Sequence, residues 1–365
     1  MISMTESLIN FPAPKFTVNN DVLPELSRDL VYLKVAEAND GLRTLEARFV
    51  AFAPSEGSAV DELFYLDGSR FDFGSEVKIE IGEESERNNV FEGRVSSVAA
   101  YFQEGQEPEV SICAEDSLME LRLTRRMKTY NNSTDSKIAE EIAQLHGLQV
   151  QADAPGPEYD VVQHWNMSDL AFLRDRARRI QADVWVSEGT LYFRSRGQRG
   201  GSEITLVQGN HLLSLNACAD LAHQRSEVRV SGYDASDRSV INESADLESI
   251  RSEMPAGRTG PEILVEVFGE NCKSHRVRDV PLNADEAKQW SNAEMLRRAR
   301  SFVSVSGITR GTPSMTVGSR LRLERVGQPF EGSDYYVVKV CHSHELSRGY
   351  RTEFVAERAS VGVTE

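Results

Sequence analysis

Gly74-Ser75-Glu76-Val77-Lys78-Ile79 and Gly318-Ser319-Arg320-Leu321-Arg322-Leu323 are two versions of one pattern. Each is a Gly-Ser turn followed by a run in which apolar and charged residues alternate, as a half-buried strand requires. Working outward, the first copy continues through Phe91-Glu92-Gly93 and a long strand to Cys113-Ala114-Glu115-Asp116. The second continues through Phe330-Glu331-Gly332 and a long strand to Val355-Ala356-Glu357-Arg358. Gly74 to Gly93 spans 19 positions and Gly318 to Gly332 spans 14, so the difference falls in a turn, where extra residues cost least. The pattern predicts a duplication.

Around the first copy, strands are expected near 30–37, at Thr44–Phe49, at Glu76–Ile81, and near 90–101 and 108–115. Short strands at this spacing, with turn residues between them, form a small barrel or sandwich. The period then changes. Thr134 is placed to cap a helix at Asp135–His146 that Gly147 stops, and Ser168 to cap a helix running to Ile180. The second helix sets Leu170, Leu173, Ala177 and Ile180 on its buried stripe, and Arg174, Arg176, Arg178 and Arg179 on a face expected to be solvated. Val184-Trp185-Val186 and Thr190-Leu191-Tyr192-Phe193 flank Ser187-Glu188-Gly189 as a hairpin.

Strands return at Glu227–Val230 and are expected again at Glu262–Phe268, with a polar loop at 234–261 between them. Asn283 and Glu286 open a helix to Ser301, and strands near 315–324, 334–343 and 350–357 close the chain. The expected fold is therefore α+β and β-rich: two similar small β-barrel domains bracketing an α+β insert. An extended arm is expected at 1–18, the first barrel at 19–118, the insert at 119–224, and the second barrel at 225–365 with its polar loop and the helix 284–301. Three copies of such a chain would give a ring of six similar modules, which suits a place where a sixfold tube meets a threefold object.

Composition narrows the function classes. Of 365 residues, 40% are hydrophobic and 27% charged, the profile of a globular chain. Fifty-seven acids against 41 bases leave a net charge of −16, which opposes sequence-independent nucleic-acid binding, since phosphate contacts need a surplus of Lys and Arg. Cys113, Cys218, Cys272 and Cys341 are far apart and read as reduced thiols. The first residues lack a basic stretch followed by a long apolar one, so no signal peptide is expected and synthesis in the cytoplasm is. No apolar run approaches the ~20 residues of a membrane span.

The repeated motif, the segment Met127-Lys128-Thr129-Tyr130 with its following helix, and Ser168-Asp169-Leu170-Ala171-Phe172-Leu173 leading to Gly189-Thr190-Leu191-Tyr192-Phe193 resemble the hub proteins of contractile injection machines. That family includes phage late control D proteins and the N-terminal hub part of VgrG. The resemblance runs from about 20 to 360. It implies a homotrimer in a phage-tail or injection-particle baseplate, its paired barrels forming a pseudo-sixfold ring between the inner tube and a central spike, among baseplate wedge components. VgrG continues into an OB-fold and a β-helical needle, whereas this sequence stops at Glu365, so the spike is expected to be a separate polypeptide. The N-terminal arm and the loop 234–261 are the expected places for partner contacts.

Chemistry is sparse in the sequence. Gly197-Gln198-Arg199-Gly200-Gly201 lacks the Lys-Ser/Thr of a phosphate loop, and His344-Glu345 has Arg348 where a metalloprotease has its second His. His342 and His344, spaced to share one strand face, are a weak candidate metal pair, joined at most by Cys272 and His275. Glu115 and Asp116, adjacent on a strand, point to opposite faces and cannot flank one glycosidic bond. His146 and His164 show no Ser or Cys partner. No catalytic residue, no cofactor and no enzyme are expected. The alternative is a glycan-binding or cell-wall-degrading baseplate component, with Trp165, Trp185 and Tyr192 as stacking residues.

Overall fold

A computed structural model describes residues 13–51, 65, 70–82, 87–254, 256–277 and 280–362. The opening strands are β1 Lys15–Val18, β2 Leu30–Ala38, β3 Thr44–Val50, β4 Glu76–Ile81, β5 Asn88–Tyr101 and β6 Glu109–Glu115. They pair in the order β1-β4-β5-β6-β3-β2, every ladder antiparallel. Alternation drives this arrangement: Val77, Ile79 and Ile81 point inward with Leu33, Phe49, Phe91 and Ile112, while the lysines and glutamates between them face outward. Residues 15–18, expected to belong to an extended arm, are a strand of this module because Phe16 and Val18 complete its core. The remainder of the arm, residues 1–12, lies outside the described residues.

The insert follows as β7 Arg125–Ser133, α1 Asp135–Leu145, β8 Gln149–Ala152, β9 Tyr159–Ser168, α2 Asp169–Ile180, β10 Ala182–Ser187 and β11 Thr190–Ser195. β7 pairs with β9, and β8 runs parallel to β11 of the expected hairpin. Thr134 and Ser168 cap the helices, their hydroxyls accepting from Lys137 N and Ala171 N at 3.3 Å each. Ile138, Ile142, Leu170 and Leu173 then fill the space against Val184, Leu191 and Phe193.

The longer strands that follow are β12 Glu203–Val207, β13 Leu212–Ala219, β14 Glu227–Asp234, β15 Ser239–Asp246, β16 Lys273–Arg276, β17 Val303–Thr309, β18 Arg320–Glu324, β19 Gly332–Glu345 and β20 Gly349–Arg358, with α3 Gly260–Phe268 and α4 Ala284–Arg300. Six of them pair in the order β12-β18-β19-β20-β17-β13. In chain rank both modules read first-fourth-fifth-sixth-third-second. One ladder differs: β12 is parallel to β18, whereas β1 is antiparallel to β4. β2 also pairs with β19, and with the short strand Asp21–Val22 paired to β1 the two modules make one 13-stranded sheet.

Three sequence expectations need correction. β12 and β13, placed by sequence in the insert, pair with the closing strands, so the second module begins before 225. The polar loop 234–261 is largely ordered: β15 pairs along the whole of β14, with Ile241 and Ala245 buried. Those two are four apart among polar neighbours, too sparse a pattern to read as a strand. Glu262–Phe268 is helix, not strand. Thr259 and Glu262 form a capping box and Pro261 occupies the first turn, which outweighs the β-branched run. α4 has its expected bounds, with Asn283 accepting from Glu286 N at 2.9 Å, and its Trp290 packs onto the insert's core.

Candidate assembly site

The duplication extends to hydrogen-bond detail. Gly74 N donates to Val95 O and Val95 N to Ser75 O; Gly318 N donates to Val337 O and Val337 N to Ser319 O, all between 2.8 and 3.0 Å. Both glycines have positive φ, +81° and +99°. The serine hydroxyls close the turns identically, accepting from Asp72 N at 3.1 Å and Thr316 N at 3.0 Å. A bulge skips one residue between Val95 and Ser97 and another between Val337 and Lys339. A second bulge lies between Leu30 and Tyr32 in one module, and between Leu212 and Ser214 in the other. Bulges reset which face each side chain takes, so matching ones mean matching registers.

These registers meet at the inter-module joint. The first half of β19 pairs with β18, and after its bulge the second half pairs with β2, from Lys339↔Ala38 through Cys341↔Ala36 to Glu345↔Tyr32. A cleft of about 490 Å³ crosses the outer side of the joint, lined by Lys34, Ala36, Ser306, Lys339, Cys341 and Phe354 among others. Inward, His342 is buried, its Nε2 3.0 Å from Met315 O and its Nδ1 2.7 Å from Tyr350 Oη. The neutral ring that donates to Met315 O and accepts from Tyr350 satisfies both contacts. Burial accordingly pushes the His342 pKa down to about 4.

A buried ionic junction ties the insert to both modules. Glu37, next to the joint on β2, accepts from Arg43 at 3.0 Å and from Arg199. Arg199 lies over the Trp185 ring at 4.6 Å and 3.7 Å from Asp183, which accepts from Tyr336 Oη at 2.9 Å. Arg196 covers the Tyr336 ring at 3.9 Å and bonds Glu357 at 3.0 Å. Backbones close up here as well: a methyl group on Gly41 would lie 2.3 Å from Val184 O. Charges this deeply held fix geometry more than they add stability.

The residues singled out from sequence scatter. His342 and His344 lie on β19, whereas Cys272 and His275 lie beside and on β16 in a different sheet. No group of three or more metal-ligating side chains occurs among the described residues. Asp116 is a turn cap, accepting from Leu118 N at 3.0 Å and Arg43 N at 2.7 Å, and burial pushes its pKa up to about 6. Glu115 pairs with Arg122. Trp185 stacks on Tyr192 with centroids 4.8 Å apart, and Trp165 is 67% exposed. The expected solvated face of α2 is corrected: Arg176 is buried against Asp135 and the Tyr159 ring, and Arg174 bonds Asp40 O and Gly41 O. Sequence also missed that His146 and Arg126 converge on the buried Asp169, at 2.7 and 2.8 Å, with His164 at 3.8 Å. The three lie on separate elements, so no local spacing announces them. No helix among the described residues is long and apolar enough to cross a membrane.

The model of the Alg8 N-terminal domain family matches residues 49–345, and the chain belongs to that family. No curated protein matches it. Several solved structures share its fold. A 43 kDa tail protein of prophage MuSo2 from Shewanella oneidensis is similar at 12% identity and TM-score 0.66, over 95% of this chain and 98% of that one. A tail protein from Neisseria meningitidis MC58 is similar at 11% identity and TM-score 0.65, over 95% and 96%. The third is an E. coli type VI secretion system component, described as structurally similar to the T4 phage tail proteins gp27 and gp5. It aligns at 12% identity and TM-score 0.55, over 95% of this chain and 74% of that one.

Proposed function

We propose that this chain is the structural hub of a contractile tail or injection baseplate. In this reading it is a homotrimer whose two modules act as duplicated barrel domains, giving a pseudo-sixfold ring between a sixfold inner tube and a separate threefold spike. The observation that carries the reading is the duplication itself, with one strand order, matching bulges and one Gly-Ser turn in both modules. Three such chains supply six nearly equivalent modules, which is what a sixfold partner needs from a threefold object. The shared fold with phage tail proteins and a type VI secretion component supports the same setting.

The modules span 15–116 and 203–362, with 117–198 as the insert and 227–300 as an elaboration within the second module. The role is structural rather than enzymatic. Made in the cytoplasm and built into the particle, the hub contacts the tube or its initiator, the spike and the baseplate wedges. Co-expression with the tube and spike proteins, followed by native mass measurement and electron microscopy, tests this. Three copies of the chain in a ring beneath the first tube disc are expected. A stable complex with one or two copies would refute it.

A further inference from the structure

One cleft gathers arginines although the chain as a whole carries a net charge of −16. It has a volume of about 400 Å³ and lies where the insert, the end of α4 and the second module meet. Arg196 enters from just after β11, Arg300 from the last turn of α4, Arg320 from β18 and Arg358 from the end of β20. Three of them are already satisfied. Arg196 bonds Glu357 at 3.0 Å, Arg300 bonds Glu253 at 2.6 Å, and Arg358 donates to the carbonyls of Pro329, Glu331 and Ser360 at 2.7–2.9 Å. The Arg320 guanidinium lies 4.6 Å from the centre of the Tyr336 ring and has no hydrogen bond or ion pair among the described residues.

This open charge is particular to the second module. In the matching place of the first, Glu76 stands where Arg320 does and Arg94 where Tyr336 does, and those two close a salt bridge at 3.2 Å. The second module has a cation stacked on an aromatic ring instead of a neutral pair. Tyr336 donates to Asp183 and is also covered by Arg196, so it is a fixed platform for the Arg320 plane. Asp334, the lining carboxylate with no arginine partner among the described residues, stands at φ +71° in a bulge of β19 and accepts from Ser333. It acts on Arg320 only from beyond ion-pair reach. Burial, with repulsion from Arg196, lowers the pKa values of Arg300 and Arg320, and burial lowers that of Arg358, a state that an added carboxylate relieves.

We propose that this cleft receives an acidic segment of a partner polypeptide, one carboxylate of which takes the fork of Arg320 beside the Tyr336 ring. A planar carboxylate matches a guanidinium with two parallel bonds. The volume suits a short stretch of chain and falls in the range of ligand sites, about 300–1,000 Å³. Phosphate polyanions fit less well, because Glu253, Asp334 and Glu357 line the same cleft and the chain is acidic overall. The site is complete within one chain, so it goes beyond the hub reading and stands or falls without it.

A fluorescein-labelled tetraglutamate peptide, titrated with the full chain at low salt and followed by fluorescence anisotropy, tests this. Saturable binding is expected. Arg320→Gln should weaken it by about tenfold or more, and Asp334→Asn, which removes a repelling carboxylate, should tighten it by about twofold or more. Arg322→Gln removes an equal charge two residues along, from a side chain paired with Glu324 at 3.2 Å, and should change binding by less than about twofold. Thermal unfolding shows whether each variant is folded; if Arg320→Gln is not, the tightening by Asp334→Asn decides. Absence of saturable binding, no tightening by Asp334→Asn, or equal losses in Arg320→Gln and Arg322→Gln would overturn the proposal. Displacement of the peptide by inorganic phosphate far more strongly than by acetate at matched ionic strength would assign the cleft to phosphate and overturn it as well.

Discussion

Acid should loosen the second module through one histidine. His342 is bonded by Met315, Tyr350 and Thr352 at the inter-module joint, where Arg43 and Glu37 act on it with opposite sign. Its pKa falls from 6.5 to about 4 on folding, so the stability it confers is complete above pH 6.5 and is lost as pH falls toward 4. At pH 5 that loss amounts to about 2 kcal/mol relative to neutral pH, taking about 1.4 kcal/mol per pH unit. Asp116 works in the other direction. Its pKa is raised from 3.8 to about 6, so its contribution is complete below 3.8 and is lost as pH rises through 6; acidification to pH 5 restores about 1.4 kcal/mol. The native chain should therefore show only a shallow net loss. His342→Gln removes the larger opposing term, and the variant should gain stability between pH 7.5 and 5 by about 1.4 kcal/mol, whatever the substitution costs at neutral pH. Asp116→Asn should steepen the acid loss to about 2 kcal/mol. Urea unfolding at the two pH values measures both. Equal acid responses in the native chain and His342→Gln would refute the assignment of a buried neutral imidazole.

Three further outcomes follow from particular contacts. Asp135→Ala leaves the Arg176 guanidinium buried without its carboxylate and should cost about 3–5 kcal/mol in urea unfolding, while a cost under about 1 kcal/mol would mean that the pair is solvated. Gly74→Ala, with open space around it and φ +81°, should cost about 1–2 kcal/mol from backbone conformation alone. Gly318→Ala should cost more than its twin, because a methyl group there lies 3.0 Å from Arg199 Cγ and 3.1 Å from Gly200 O. Trp165→Ala on the open face of the β7–β9 pair should leave the stability of the isolated chain within about 0.5 kcal/mol, measured by thermal unfolding.

How much of this was legible in the sequence depended on whether the signal was local. The Gly-Ser turns and their alternating strands could be read because a positive φ needs glycine and a half-buried strand needs a period of two. Caps at Thr134, Ser168 and Asn283 were legible for the same reason. One misreading had local signals that were outranked: Thr259, Pro261 and Glu262 announce a helix, yet the β-branched run Ile263-Leu264-Val265 suggests a strand. The assembly of β15 had almost none, since its partner β14 and α4 supply most of what holds it. Arg176 reads as surface because helix periodicity places it beside three other arginines; Asp135, 41 positions away, and the Tyr159 ring turn that position inward.

The inter-module joint belongs to the class that no single stretch of sequence could disclose. Its parts are a bulge in β2 and a bulge in β19, strands from opposite ends of the chain. What made it visible was the comparison of the molecule with itself. The two modules share strand order and bulges, while the residues at corresponding places have diverged as their surroundings require. His342, buried under Met315, is matched by Ala100 on an open edge, and Cys341↔Ala36 is matched by Ala99 and Cys218. Burial goes with hydrogen-bonded packing at the inter-module joint, where His342 lies between Met315 O and Tyr350 Oη, and the matching position in the first module is exposed.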